Sequence, residues 1–140
     1  MASFLITGGA RGLGLEMVRI LAQKPTSEVA IIFATIRSAP TPALQEIIDQ
    51  LKDRVVVVNL EVSDEDSIAN AAHQVKEKLA GRGLDVLINN AAIANMIPTP
   101  LLATTNMQNA FNVNVNAVHR ITVALMPLLK EGTKKTVLNV

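Results

Sequence analysis

The run Thr7-Gly8-Gly9-Ala10-Arg11-Gly12-Leu13-Gly14 has the residue types and spacing that carry the most chemistry in this chain. It follows an apolar stretch, Phe4-Leu5-Ile6, and opens an amphipathic one. That order predicts strand, glycine-rich turn, helix. Such a turn brings the backbone close to a phosphate. The helix behind it offers unpaired N–H groups and the positive end of a dipole. A Cβ would block that approach or forbid the φ values the turn needs. About 20 residues on, a dinucleotide site for NAD carries an acidic residue that accepts from the ribose hydroxyls. Here the chain reads Ala34-Thr35-Ile36-Arg37. Arg11 and Arg37 suit a phosphate on that ribose, because a guanidinium pairs well with phosphate. The competing reading is two solvated surface arginines. The pattern favours NADP(H) over NAD(H).

Other reactive groups are sparse. His73 lies among Asn70, Gln74, Lys76 and Glu77, and His119 lies beside Arg120. Both read as solvated helix residues, and no metal site is expected around them. No Ser/His/Asp triad has a sensible spacing. The chain has no cysteine, which excludes disulfides and thiolate chemistry and fits a reducing, cytoplasmic setting. A net charge of +1 makes no electrostatic case for nucleic acid or an anionic membrane as partner. No apolar run nears the roughly 20 residues of a membrane span. No basic segment precedes the first strand, so no signal peptide is expected.

The elements that must position these groups alternate in type. Residues 3–7, 29–35, 55–60, 84–88 and 135–140 read as strands. A helix is predicted from Gly12 to Lys24, with Leu13, Met17, Ile20 and Leu21 on its apolar face and Pro25 ending it. Thr41 and Pro42 make an N-cap followed by proline at the first helical position. Leu44, Ile47, Ile48 and Leu51 follow at helical spacing. Ser63 and Asp66 resemble a capping box for a third helix striped by Ile68, Ala71, Ala72, Val75 and Leu79. A long helix is predicted from about Thr105 to Lys130, kinked at Pro127. Aromatic residues are 2% of the chain, so the core must be aliphatic. Strand–helix alternation over 140 residues predicts one α/β domain, a doubly wound parallel Rossmann-like sheet in the order 3-2-1-4-5 with helices on both faces.

Four motifs in this order resemble those of the short-chain dehydrogenase/reductases, in particular their carbonyl-reductase-like members. They are Thr7-Gly8-x-x-x-Gly12-x-Gly14, Leu60-Glu61-Val62-Ser63-Asp64, Asn89-Asn90-Ala91 and Phe111-x-Val113-Asn114-Val115. Leu125-Met126-Pro127-Leu128-Leu129 fits as well, and the resemblance spans the whole chain. It implies a cofactor site built from Gly8, Arg11, Gly12, Leu13, Gly14, Arg37, Glu61, Val62, Asn90 and Ala91, with Asn89 tying the central strands together. Glu61 stands where the family commonly has an Asp at the adenine edge. Ala92 stands where it commonly has Gly. Asn114 matches a catalytic position that implies a backbone kink and a water held for proton relay.

The resemblance also implies a catalytic Ser after the fifth strand and a Tyr-x-x-x-Lys on the next helix. The chain reaches Val140 before either position, and none of its residues is tyrosine. The expectation is a family member truncated before those groups, its C-terminal part missing, with Asn114 left in a structural role. The missing helix would leave Phe111, Val115, Val118, Ile121 and Leu125 without a neighbour, so a homo-oligomer, most simply a dimer through helix 105–130, is expected. Three readings stay open. One is the cofactor half of an NADP-dependent carbonyl or alcohol oxidoreductase. The second is a repurposed chain acting on a small molecule without redox chemistry, with Asn95, Asn114, Asn116 and His119 as its polar groups. The third is a non-catalytic binding or regulatory module.

Overall fold

In the computed structural model, which describes residues 1–51, 53–93 and 107–140, five parallel strands form one sheet in the order β3-β2-β1-β4-β5. They are β1 (Ala2–Ile6), β2 (Val29–Ile36), β3 (Val55–Asn59), β4 (Val86–Asn89) and β5 (Thr136–Asn139). Side chains alternate across the sheet, and both faces of β1, β2 and β4 are buried and largely apolar, whereas β5 is mostly exposed. Ile6, Ile32, Ala34 and Ile88 face α1 (Gly12–Gln23) and α2 (Pro42–Gln50). Leu5, Phe33, Val58 and Leu87 face α3 (Glu65–Leu79) and α5 (Ala117–Glu131). The predicted doubly wound architecture and strand order are those observed.

Local signals held where one short contact decides them. Thr41 caps α2, its hydroxyl oxygen accepting from the Leu44 N–H at 3.3 Å. The α3 cap sits one residue later than expected. Asp64 accepts from the Asp66 N–H at 3.0 Å, while the Ser63 hydroxyl donates to Glu61. The apolar face of α1 is the expected one in part, with Met17 and Leu21 half-buried against the core. Gly14, Leu15, Val18 and Ala22 are buried, whereas Leu13 and Ile20 are exposed. The cause is Gly14: the helix presses this residue onto the glycine turn, so the i+4 and i+8 positions after it, Val18 and Ala22, turn inward too.

The long helix is described from Met107; Thr105 lies outside the described residues. It comprises α4 (Met107–Phe111), a π-helical turn (Asn112–Asn116) and α5. The helix continues through Pro127 to Glu131, so the departure from α geometry lies around Asn114 rather than at the proline. The expected apolar patch is corrected in part. Ile121 and Leu125 are buried in the core they share with α3, while Phe111 and Val115 are exposed and Val118 is half-buried.

Asp85, just before β4, staples the far end of the sheet. Its carboxylate accepts from the Ser3 N–H at 2.8 Å, the Thr133 N–H and hydroxyl at 2.7 Å each, and the Lys134 N–H at 3.2 Å. Burial pushes its pKa up, but the Thr133 hydroxyl and these three N–H groups outweigh burial and hold it at about 2, against an ordinary 3.8. A carboxylate depressed in the folded state stabilises the fold above its unfolded pKa. That stability is lost as the pH falls through the folded value. The shift corresponds to about 2 kcal/mol, so thermal unfolding should show a stability loss of that size between roughly pH 4 and pH 2. Asp85→Asn should lower the melting temperature at neutral pH and flatten that acid limb. An unchanged acid limb in the variant would count against this role.

Candidate functional site

The C-terminal ends of β1, β2 and β4 and the N-terminus of α1 surround a cleft of about 560 Å³. Of the residues singled out in the sequence, Gly8, Arg11, Gly12, Arg37, Glu61, Val62, Asn90 and Ala91 line it together. Leu13 and Gly14 do not. Leu13 points to solvent, and Gly14 lies behind the turn, where a Cβ would stand 2.2 Å from the Gly8 carbonyl oxygen. Gly14 therefore acts by letting helix and turn touch.

The open end of α1 faces this cleft. Its N-cap is Arg11, in extended backbone, and no side chain caps it. Gly12 has a φ of +56°, and a Cβ there would meet nothing within 4 Å. The backbone therefore presents bare donors and unfilled space to the cleft, an arrangement suited to an anion. Arg11, Arg37 and Glu61 are the ionisable side chains lining it among the described residues. Among the described residues the two arginines make no ion pair there. The Glu61 carboxylate accepts from the Ser63 N–H at 3.2 Å and the Ser63 hydroxyl at 2.9 Å, which turns it onto its own loop.

Threonines hold the turn in place. The Thr7 hydroxyl oxygen accepts from the Asn90 and Ala91 N–H groups, both at 2.9 Å. The Asn90 amide donates to the Thr7 carbonyl at 2.9 Å. Thr35 accepts twice, through its hydroxyl from the Gly8 N–H at 3.3 Å and through its carbonyl from the Gly9 N–H at 2.9 Å. The site roles of Thr35 and Thr41 were missed in the sequence. Their only signal is position, at the end of a strand and the start of a helix.

Asn114 is engaged through both polar atoms of its side chain. Its Oδ1 accepts from the Ile93 N–H and its Nδ2 donates to the Ile93 carbonyl, both at 2.9 Å. This two-point clamp ties the segment ending at Ile93 to the π-helical turn. The Asn116 amide donates to Asn112 at 3.0 Å, and His119 is exposed on α5; neither lines the cleft. Asn95 lies outside the described residues. His73 is exposed beside Glu77 at 3.7 Å. Asn89 is buried and donates to Thr122 at 3.2 Å and Asn139 at 2.9 Å, bridging β4 to α5 and β5. Among the described residues no three metal-ligating side chains converge, and no helix is long and apolar enough to cross a membrane.

A doubly wound parallel sheet with a glycine-rich first turn at its switch point defines a Rossmann-type domain. The chain belongs to the short-chain dehydrogenase family, whose family model matches residues 2–140. It is 33% identical over 150 residues to the short-chain dehydrogenase/reductase AacuF of Aspergillus aculeatus, covering 100% of this chain and 54% of that protein. Among solved structures it resembles the NADPH-bound carbonyl reductase from chicken fatty liver, at 36% identity and a TM-score of 0.77, over 94% of this chain and 49% of that one. The carbonyl reductase Sniffer of D. melanogaster aligns at 28% identity and a TM-score of 0.78, over 94% and 53%. The chain thus spans about half the length of these relatives.

Proposed function

We propose that these residues form the NADP(H)-binding half of a carbonyl or alcohol oxidoreductase. The observation that carries the reading is the pairing of an uncapped helix N-terminus with Arg11 and Arg37 along one cleft. The bare donors of α1 would hold the pyrophosphate. The two guanidinium groups would hold the ribose 2′-phosphate. Val62 would lie against the adenine side, and Asn90 and Ala91 against the second ribose. The open space at Gly12, which a side chain would fill, fits a ligand at close range. When bound, the cofactor supplies or accepts a hydride; the residues described here bind and orient it. The carbonyl reductases among the similar structures support the substrate class. No described contact favours a redox-neutral pocket or a purely regulatory module.

Calorimetric titration of NADPH and NADH tests this reading. The chain should bind NADPH more tightly, and Arg37→Asp should weaken NADPH far more than NADH, because one charge-assisted pair worth about 1.5–3 kcal/mol is replaced by repulsion. Equal losses for the two cofactors would sink the assignment.

Self-association as a dimer through the long helix belongs to the same reading. It now rests on exposed Phe111 and Val115 rather than on Ile121 and Leu125. Sedimentation should show a dimer at micromolar concentration that Val115→Asp dissociates. A wild-type chain that stays monomeric would refute it.

A further inference from the structure

We propose that the Thr41 hydroxyl is a positioning group for cofactor choice: it braces the Arg37 loop against the glycine turn and so sets the preference for a phosphorylated dinucleotide. The inference rests on the NADP(H) reading above. Arg37 lies in a short loop between the end of β2 and the start of α2. Arg11 ends the glycine turn. The two segments are joined at both sides of Arg37. Upstream, Thr35 accepts from the N–H groups of Gly8 and Gly9. Downstream, the Thr41 hydroxyl donates to the Ala10 carbonyl at 2.7 Å, while its oxygen accepts from the Leu44 N–H. One side chain thus caps α2 and holds the residue next to Arg11. Thr41, Ser38 and Ala39 line the same cleft as both arginines.

The geometry separates the two jobs. An N-cap needs only an acceptor, and Ser, Asp or Asn would serve. Gripping a carbonyl needs a donor, and threonine supplies both in one group. Arg37 is exposed and makes no ion pair among the described residues, so its backbone anchors decide where its charge sits. Arg11 follows Ala10 directly. Cutting the Thr41–Ala10 bond frees one end of the Arg37 loop from the turn carrying Arg11. The phosphate on the ribose requires both guanidinium groups. The pyrophosphate does not, because it rests on the backbone of α1.

The test compares Thr41→Ser, Thr41→Val and Thr41→Gly in the whole chain, with NADPH and NADH titrated separately and melting temperature recorded. Valine removes brace and cap. Glycine removes the brace while costing the cap little, which covers a valine variant that fails to fold. Both should weaken NADPH about tenfold, the size of one lost hydrogen bond, and NADH less than about twofold. Serine should stay within about twofold of wild type for both cofactors. A purely capping role predicts a lower melting temperature in Thr41→Val with an unchanged NADPH-to-NADH ratio, and that result overturns the proposal while leaving the NADP(H) reading standing. A serine variant as weak as valine also overturns it. A wild-type chain without any preference overturns both.

Discussion

Replacing Gly14 by alanine should all but abolish dinucleotide binding. A Cβ built at this position stands 2.2 Å from the Gly8 carbonyl oxygen, 2.9 Å from its carbon and 2.7 Å from the Asn90 amide nitrogen. Two of these atoms are backbone, and that backbone is pinned: the Gly8 N–H donates to Thr35, and Asn90 donates to the Thr7 carbonyl. The turn cannot yield, so α1 must lift away from it. Lifting α1 withdraws Val18, which is fully buried, and moves the bare donors off the phosphate position. Overpacking of this kind costs about 1–3 kcal/mol in stability. The loss in affinity should be larger than in any arginine variant, since every contact of the helix N-terminus moves together. Gly12→Ala is the control for stability. Its Cβ meets no protein atom, so its folding bears only the cost of a left-handed φ, about 1 kcal/mol, while the methyl fills space proposed for the ligand. Thermal unfolding should separate the two variants; a Gly14→Ala chain with wild-type melting and NADPH affinity would disprove the close-approach role.

The contrast between these glycines shows what a sequence can and cannot reveal here. Their spacing announces a phosphate turn, and strand–helix alternation announces the sheet order. Neither tells which glycine faces the ligand and which faces the protein. That depends on how α1 docks, and the docking buries Leu15, Val18 and Ala22, keeps Met17 and Leu21 half-buried against the core and leaves Leu13 and Ile20 exposed. Both sets satisfy helical periodicity, so composition could not choose between them. Contacts distant in sequence stayed hidden for the same reason. Asp85 meets Ser3 and Thr133, Asn114 meets Ile93, and Arg54 donates to the carbonyls of Ala22 and Val29. Each is an ordinary polar residue until the fold supplies its partner. Thr41 was readable as a cap from Pro42 beside it; its grip on Ala10 was not.

Residues 1–140 alone should bind NADPH and yet not consume it with aldehydes or ketones. Carbonyl reduction needs an acid that protonates the forming alkoxide, a contribution of roughly 10²–10⁴-fold. The family resemblance assigns that task to a tyrosine, and these residues include none. The groups that do line the cleft are poor substitutes. Arginine stays charged near neutral pH and does not give up a proton. Glu61 is turned onto Ser63. Asn114, the one matched catalytic position, is a neutral amide bonded to the N–H and carbonyl of Ile93, so it shapes that segment and is not an acid that could protonate an alkoxide. The measurement is NADPH absorbance over time with a panel of carbonyl compounds and a cofactor titration on the same sample. The expected result is saturable binding with no turnover above the enzyme-free background. Asn114→Ala should loosen the loop after β4 without changing that background. Multiple turnovers that disappear in Asn114→Ala would show that a proton path runs through Asn114 and overturn this expectation.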